Sequence, residues 1–359
     1  MEFLTDFNKT IQKLDGVSSN SEPPRWWFST GNHVLNKVIS GSFLRGIPQG
    51  RVTLFAGPSS SGKSFLTGNV VRQAQKEGAF VLIVDSENAL DDDFMGAISV
   101  DVKNNYYYTS VTTINQMQKV ISSFIKGYKA EYGTNIDAPK VLIGIDSLSM
   151  LMTDTELEHY EKGDQKGDMG QKNKQLKTTM RGIAQDIKEL NISIVVTSQV
   201  YRNQDLMNGE GVWIIPDALR YSASQIILLT KLKLKQTGSS VVDGIRMKAE
   251  GYKTRFTKPF QTVTIEVPYD TGMDSFNGLL DVAVEMGIIK QMGGWFALNG
   301  SDKKWRQTDF AIYAEDILVK AESQRAKYLE AVEEDIDESK EISAKLRRKE
   351  KFESTSISS

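Results

Sequence analysis

A phosphate-binding loop is the strongest chemical signal in the sequence. Residues 57–64 match the pattern G-x-x-x-x-G-K-[ST] at every position. Glycines let backbone N–H groups curl around phosphate oxygens, and a helix that begins at the loop adds the positive end of its dipole. Lys63 is predicted to reach the β- and γ-phosphates, and the Ser64 hydroxyl to bind Mg²⁺. The residues predicted to contact a nucleotide here are Gly57, Pro58, Ser59, Ser60, Ser61, Gly62, Lys63, Ser64 and Phe65.

Carboxylates end two further apolar runs. The run 141–146 ends in Asp146, which is predicted to hold Mg²⁺ through water. The run 80–85 ends in Asp85, and Glu87 follows two residues later. Glu87 is predicted to orient an attacking water, and Asp85 is the alternative functional carboxylate. Together with the loop, these groups predict Mg²⁺-dependent cleavage of a nucleoside triphosphate.

The elements that carry these groups alternate between strand and helix patterns. Strands are predicted at 51–56, 80–85, 141–146, 193–197, 224–231 and 260–267, and helices at 64–77, 113–126 and 172–190. This alternation predicts an α/β fold with a mostly parallel, twisted sheet flanked by helices. Because parallel strands end at one edge of a sheet, the polar residues that follow them should meet in one crevice. Gln199 would lie there with its amide near the γ-phosphate, or else be a solvated loop residue.

The composition removes several kinds of chemistry. The chain has 359 residues, no cysteine and two histidines, His33 and His159. The lack of cysteine excludes disulfides, thiol catalysis and iron–sulfur clusters, and two isolated histidines argue against a zinc site or a Ser-His-Asp triad. Apolar runs reach only about six residues, whereas a membrane span needs about 20, so a soluble protein without membrane contact is expected. The net charge of −2 means that nucleic-acid binding would depend on local positive charge.

Changes of composition predict four segments along the chain. They are an N-terminal helix and linker (1–30) that is a candidate for oligomerisation, an ATPase core (31–271), a small C-terminal α/β domain (272–325) and a charged, partly disordered tail (326–359). In the third segment, Asn-Gly at 299–300 predicts a hairpin between 295–298 and 303–305.

The N-terminal segment is predicted to contain an amphipathic helix. Phe3, Phe7, Ile11 and Leu14 are spaced so that they share one helical face. That face could pack on the same chain or dock on a neighbouring copy, and the sequence leaves both open.

The order of the motifs resembles that of the RecA-type recombinases and, within them, the UvsX group of T4-like bacteriophages. The resemblance covers about residues 25–310. The matching segments are 29–31, 57–64, 85–91, 145–148, 168–170, 198–199, 217–221 and 253–255, with 277–281 and 294–296 especially similar to the UvsX group. It implies a RecA-like P-loop ATPase core with an added N-terminal helix and a small C-terminal α/β domain.

The resemblance implies roles for residues around the nucleotide. Glu87 stands where the family has its catalytic glutamate, and Lys63 belongs to the same catalytic set. Gln199 matches the glutamine that senses the γ-phosphate and signals to the DNA loops. The UvsX group has a histidine there, so this chain is more similar to RecA at that position. Asp91 and Phe94 match the adenine contacts.

Two basic residues match a contact between neighbouring subunits. Lys253 and Arg255 stand where RecA-type filaments insert cations toward the neighbour's ATP, which would stabilise transition-state charge. The alternative is a solvated strand edge.

The resemblance also implies two DNA-binding loops, at about 152–169 and 201–217. Loops of this length in a compact domain usually have a function. The predicted DNA contacts are Lys172, Lys174, Arg202, Trp213 and Arg220. The stretch 231–258 is strongly basic, which fits either DNA binding or a solvated strand edge.

The resemblance predicts a DNA-dependent ATPase with ATP and Mg²⁺ as cofactors. The expected activity is strand exchange in recombination, repair and recombination-dependent replication, by a helical filament of the protein on single-stranded DNA that pairs with duplex DNA. A recombination mediator and a single-strand-binding protein are the other expected partners, in the cytoplasm, or the host cytoplasm if a phage encodes the chain. The alternatives are a hexameric DNA helicase with the same core and a non-catalytic regulatory relative.

Overall fold

The computed structural model describes residues 2–11, 23–164, 170–202, 213–235 and 241–327. The strands are β1 Trp27–Phe28, β2 Ile47–Pro48, β3 Val52–Ala56, β4 Phe80–Asp85, β5 Tyr106–Ser110, β6 Val141–Asp146, β7 Ile192–Ser198, β8 Tyr201–Arg202, β9 Trp213–Ile214, β10 Gln225–Leu234, β11 Gly244–Lys253, β12 Thr262–Pro268, β13 Ile289–Met292, β14 Trp295–Leu298 and β15 Trp305–Arg306. The helices are α1 Glu2–Ile11, α2 His33–Ser40, α3 Lys63–Lys76, α4 Asp92–Ala97, α5 Ile114–Tyr132, α6 Asp154–Glu161, α7 Gln171–Asp186, α8 Asp217–Ser222 and α9 Leu279–Glu285, with α10 at 310–327. Within these ranges no helix has the length and apolar character that a membrane crossing requires.

Eight strands form one large, mostly parallel sheet. Their order is β12-β11-β10-β3-β7-β6-β4-β5. Neighbours from β10 to β5 run parallel, whereas β11 and β12 are antiparallel. Strands β3, β6 and β7 are buried at every position, as expected for strands that are covered on both faces. The predicted α/β fold with a mostly parallel sheet is confirmed.

The chain divides into two compact units. The first comprises Met1–Ser29 and Ile47–Leu229, and the second comprises Thr30–Gly46 and Thr230–Ser359. Strand β10 passes from the first unit to the second. The four predicted segments stay a prediction.

Local sequence explains the long helices of the first unit. Helix α5 begins at a capping box, in which the Thr113 hydroxyl accepts the Gln116 N–H and the Gln116 amide oxygen accepts the Thr113 N–H. Its buried face carries apolar residues at helical spacing, such as Ile114, Ile121 and Ile125. The helix predicted at 113–126 is therefore confirmed, and it continues to Tyr132.

The second unit contains a three-stranded antiparallel sheet in the order β13-β14-β15. The rings of Phe296 and Tyr313 stack on Trp305 at centroid distances of 5.2 and 5.0 Å. These aromatic contacts give the small sheet its own apolar centre. The predicted hairpin is confirmed as β14 and β15, although its second strand lies at Trp305–Arg306 rather than at 303–305. Strand β13 is a further strand that the turn signal did not predict.

The predicted first DNA loop is not a loop over most of its described length. Residues 154–161 form α6, because Thr153 and Glu156 make a capping box with N···O distances of 3.0 and 2.7 Å. The prediction of a loop at 152–169 is wrong for these residues, and 165–169 lie outside the described residues. The local pattern Thr-x-x-Glu at 153–156 is a sequence signal for the start of this helix.

Two strands of the large sheet were not predicted. Strand β5 lies at the sheet edge and consists of tyrosine, threonine and serine, and β11 mixes charged residues with glycine. Neither has the continuous apolar run by which the buried strands were recognised. The N-terminal helix is confirmed over Glu2–Ile11, and Leu14 lies outside the described residues.

Candidate functional site

The carboxyl ends of β3, β4, β6 and β7 lie side by side at one edge of the sheet. The strand register pairs Asp85 with Asp146, and Ala56 with Ser198. The phosphate-binding loop leaves β3 directly after Ala56. Glu87, Asp146, Gln199 and the loop, which the sequence placed after separate strands, are thus brought to one edge.

Close packing dictates the first glycine of the loop. The Gly57 N–H donates to the Ser198 carbonyl oxygen at 3.1 Å. A Cβ at Gly57 would lie 2.5 Å from the Leu229 carbonyl oxygen and 2.5 Å from Ser61 Oγ. No side chain fits between these atoms, so the loop is held against β7 and β10 by a residue that must be glycine.

Lys63 lies buried at the first turn of α3. Its ammonium donates to the carbonyl oxygens of Gly57 at 3.1 Å and Pro58 at 3.0 Å. Gly62, with a φ of +95°, turns the chain into this helix. A cation, a helix N-terminus and the loop therefore occupy one place, which favours a polyphosphate.

The other predicted loop contacts differ in burial. Ser59 and Ser60 are exposed, Ser61 is buried, and Ser64 and Phe65 are half-buried at the start of α3. Their positions around one turn leave the loop accessible from outside.

Asp146 is a buried carboxylate at the end of β6, with 1% of its surface exposed. Burial raises its pKa above the ordinary value, and the charges of Glu87 and Asp85 raise it further, whereas hydrogen bonds from Ser64 and Thr197 lower it. The Thr197 hydroxyl donates to Oδ1, and Oδ2 has no hydrogen-bond partner among the described residues.

These features fit Mg²⁺. A buried carboxylate oxygen without a partner gains from a cation, and the Ser64 hydroxyl beside it is a second oxygen ligand. Mg²⁺ usually keeps several waters and binds one or two protein oxygens together with substrate phosphates. Ser64 and Asp146 would hold it here.

The structure distinguishes the two carboxylates at the end of β4. Asp85 is fully buried and accepts the N–H groups of Glu87 at 2.8 Å and Leu90 at 3.0 Å, as well as the Tyr108 hydroxyl at 3.2 Å. Both of its oxygens therefore bind backbone N–H groups of the turn that follows β4. Glu87 is half-buried and its carboxylate accepts the Ser147 hydroxyl at the end of β6. This geometry favours Glu87 over Asp85 as the group that orients water.

Gln199 follows β7 by one residue. Its N–H donates to Ser149 Oγ at 2.7 Å, and its carbonyl accepts the Ser198 hydroxyl at 3.0 Å. Because Ser198 also accepts the Gly57 N–H, Gln199 adjoins the start of the phosphate-binding loop. The side chain is half-buried rather than fully solvated.

The two predicted adenine contacts lie at the start of α4. Asp91 is exposed and caps this helix, since its carboxylate accepts the Phe94 N–H at 2.8 Å. Phe94 is half-buried. The structure thus gives Asp91 a capping role, and the contact of this pair with adenine stays a prediction.

Lys253 and Arg255 belong to the second unit. Lys253 ends β11 and is half-buried, and Arg255 is exposed. Burial, and to a lesser degree the positive charge of Arg255, lowers the pKa of Lys253. Their role toward a neighbouring subunit stays a prediction.

Helix α7 carries a basic face that the sequence predicted only in part. Lys174, Lys177 and Arg181 are exposed and are spaced by three and four residues, so they share one side of the helix. We call these three residues the α7 basic face. Lys177 and Arg181 were missed, although this helical spacing could have identified them. Lys172 is half-buried and donates to the Ser149 carbonyl oxygen at 2.9 Å.

The predicted second DNA loop begins and ends in a short antiparallel pair. Tyr201 pairs with Ile214, and Arg202 with Trp213. Residues 203–212 and the side chains of Arg202 and Trp213 lie outside the described residues. This pairing brings the two ends of the segment together beside β7.

Arg220 follows the segment in α8. It forms an ion pair with Asp217 in the same helix. In the next position, the Tyr221 ring lies 5.1 Å from the Lys177 ammonium. Helix α8 thus contacts the α7 basic face, and the DNA contact predicted for Arg220 stays a prediction.

The chain is similar to known proteins over most of its length. The family model described as the RecA N-terminal domain matches residues 11–274. The chain is 27% identical over 270 residues to Protein RecA of Chloroherpeton thalassium, which covers 75% of this chain and 71% of the relative. It is 27% identical over 300 residues to Protein RecA of Acholeplasma laidlawii, covering 79% and 84%. It is 27% identical over 310 residues to Protein RecA of Phytoplasma mali, covering 82% and 85%.

Proposed function

Because the chain belongs to the RecA family, we propose that it is an ATP-dependent recombinase that exchanges DNA strands. A single observation carries this proposal: at the carboxyl ends of the parallel strands, one phosphate-binding loop is surrounded by Lys63, Asp146, Glu87 and Gln199. The family match and the relatives named RecA support recombination and repair rather than the hexameric helicase.

The strand edge is suited to cleaving the terminal phosphate of ATP. The loop N–H groups and Lys63 bind the phosphates, and Ser64 and Asp146 hold Mg²⁺. When bound, Mg²⁺ neutralises charge that develops on the phosphates. Glu87 orients the attacking water, with its backbone held by Asp85. Gln199 senses the terminal phosphate from the end of β7.

DNA binding is assigned to the α7 basic face together with the segment 201–217. Cations on one exposed helical face can bind successive phosphates without reading the sequence. Single-stranded DNA is the first ligand, and homologous duplex DNA is the second. Lys172, Arg202, Trp213 and Arg220 remain candidate contacts. Binding should be salt-dependent and largely independent of sequence.

The protein assembles as a helical filament on DNA. Phe3 and Phe7 of α1 are 76% and 50% exposed, and their rings lie 6.0 Å apart on one face. This exposure supports docking on a neighbouring copy rather than packing on the same chain. Lys253 and Arg255 would then reach toward the neighbour's ATP.

Within the family, we place the chain near the UvsX group of T4-like phages. The support is the sequence at 277–281 and 294–296, and Gln199 departs from that group. A recombination mediator, a single-strand-binding protein, a role in recombination-dependent replication and a cytoplasmic location, in the host if phage-encoded, belong to the same proposal.

Strand exchange by the wild type and the K63A variant tests the proposal. The wild type should hydrolyse ATP with single-stranded DNA and exchange strands, and Lys63→Ala should lose both. Lys76→Ala, an exposed lysine at the other end of α3, is the matched control and should keep both. Electron microscopy should show open filaments, and six-fold rings would instead support the helicase. Hydrolysis near zero in the wild type would contradict the proposal.

A further inference from the structure

A chain of hydrogen bonds leads from the phosphate-binding loop to the first turn of α7. The Gly57 N–H donates to the Ser198 carbonyl oxygen at 3.1 Å. The Ser198 hydroxyl lies 3.1 Å from the Ser149 hydroxyl. The Lys172 ammonium donates to the Ser149 carbonyl oxygen at 2.9 Å. All four residues belong to the first unit.

Ser149 is the residue at which the two ends of this chain of contacts meet. Its hydroxyl accepts the Gln199 N–H at 2.7 Å and so holds the backbone that follows β7. Its carbonyl holds Lys172 at the start of α7. A serine side chain has one rotatable bond before the hydroxyl oxygen, and this bond has only three staggered rotamers. A displacement of the Gln199 backbone should therefore move the Ser149 backbone as well as its side chain.

In the proposed function, the Gln199 end of this chain of hydrogen bonds lies beside the nucleotide, and the α7 end lies beside the DNA. Gln199 adjoins the phosphate-binding loop, whereas α7 presents Lys174, Lys177 and Arg181 to solvent. A contact network couples two sites positively when both ligands favour the same arrangement of it. Ser149 contacts both the β7 end and α7 through hydrogen bonds.

We propose that Ser149 is a positioning residue that couples the nucleotide at the strand edge to DNA at the α7 basic face. The inference rests on the proposed function, because it requires both ATP and DNA as ligands. When the terminal phosphate draws Gln199, Ser149 follows and Lys172 shifts the first turn of α7. Lys172 then acts by placing the basic face.

The test is the ratio of ATP hydrolysis with single-stranded DNA to hydrolysis without it. Ser149→Ala removes the hydroxyl contacts and should lower this ratio by about two- to tenfold, as expected for one neutral hydrogen bond. Ser149→Thr keeps a hydroxyl and should restore most of the ratio. ATP should also promote DNA binding less in the alanine variant, since coupling between two ligands is reciprocal.

Ser193→Ala is the matched control. Ser193 is a fully buried serine in β7 whose hydroxyl donates to the Pro48 carbonyl oxygen at 2.8 Å, at the opposite end of the strand. It should lower thermal stability without lowering the ratio. A double-mutant cycle combines Ser149→Ala with Lys172→Met. If both residues lie on one path, the double variant should lower the hydrolysis ratio no more than the single variant with the larger effect.

Two results would overturn the coupling role alone. One is a folded S149A protein with the wild-type ratio, and the other is a cycle in which the two effects multiply. A wild-type protein without DNA-stimulated hydrolysis would overturn the proposed function and this inference with it.

Discussion

The backbone N–H of Glu87 donates to the buried carboxylate of Asp85 at 2.8 Å. Asp85 also accepts the Leu90 N–H, so it holds both ends of the short turn that follows β4. Glu87 is left with its own carboxylate at the strand edge. The relationship explains why two carboxylates stand so close in sequence: one places the backbone of the other.

Asp85→Asn should therefore slow ATP hydrolysis by about ten- to hundredfold, because the amide nitrogen would face a backbone donor and displace Glu87. ATP affinity should change less than the rate. Steady-state hydrolysis with saturating single-stranded DNA measures both. Asp101→Asn is the control, since Asp101 also accepts backbone N–H groups but lies on the surface beside Gln75. Equal rates for the wild type and D85N would contradict the positioning role.

The raised pKa of Asp146 predicts that the stability of the folded protein falls as the pH rises. Burial raises the pKa of Asp146 in the folded chain above its value in the unfolded chain. The contribution of Asp146 to the free energy of unfolding is therefore complete below the unfolded pKa and is lost as the pH rises through the folded pKa. Asp146→Asn should raise the Tm of the nucleotide-free protein at neutral pH, by about 1–2 °C for each kcal/mol recovered. The difference should shrink in acid, and Mg²⁺-dependent hydrolysis should be lost.

Thermal unfolding at several pH values measures this effect. Asp186→Asn is the control, because Asp186 is about half exposed and pairs with Lys129 at the surface. A lower Tm for D146N than for the wild type at neutral pH would mean that the buried carboxylate stabilises the fold.

Phe7 predicts a variant that folds but does not assemble. Phe7→Asp places a charge on the exposed apolar face of α1 and should abolish long filaments on single-stranded DNA while leaving the monomer folded. Electron microscopy and circular dichroism measure the two properties. Thr5→Asp adds the same charge on another side of α1 and should keep filaments. Normal filaments of F7D would refute the docking of α1 on a neighbour.

The α7 basic face predicts a change in salt dependence. Lys177→Ala and Arg181→Ala should each weaken DNA binding to a similar degree on all sequences and lower the slope of log K against log salt by about 1. Fluorescence anisotropy with single-stranded oligonucleotides across a salt series measures both. Lys126→Ala, an exposed lysine on α5, should behave as the wild type. An unchanged slope in both basic-face variants would place DNA elsewhere.

The sequence determined the features whose chemistry needs contiguous residues. The phosphate-binding loop is eight residues in a row, and buried parallel strands such as β3, β6 and β7 are continuous apolar runs. Such patterns are local, so they can be recognised without knowing which strands are neighbours. The same locality made Glu87, Asp146 and Gln199 visible as polar residues after strands.

The tertiary structure decided what depends on contacts between distant residues. The pairing of β4 with β6 and the contacts of Asp85 favour Glu87 over Asp85 as the group that orients water, a choice that the sequence left open. Strand β5 lies at the edge of the sheet and, in the described part of the chain, pairs with a strand on one side only. It therefore needs no continuous apolar run, and its sequence resembles a loop. Ser149 shows no motif at all. Its position became evident only when the ends of β6 and β7 met the first turn of α7, because hydrogen bonds between separate elements leave no periodic pattern in the chain.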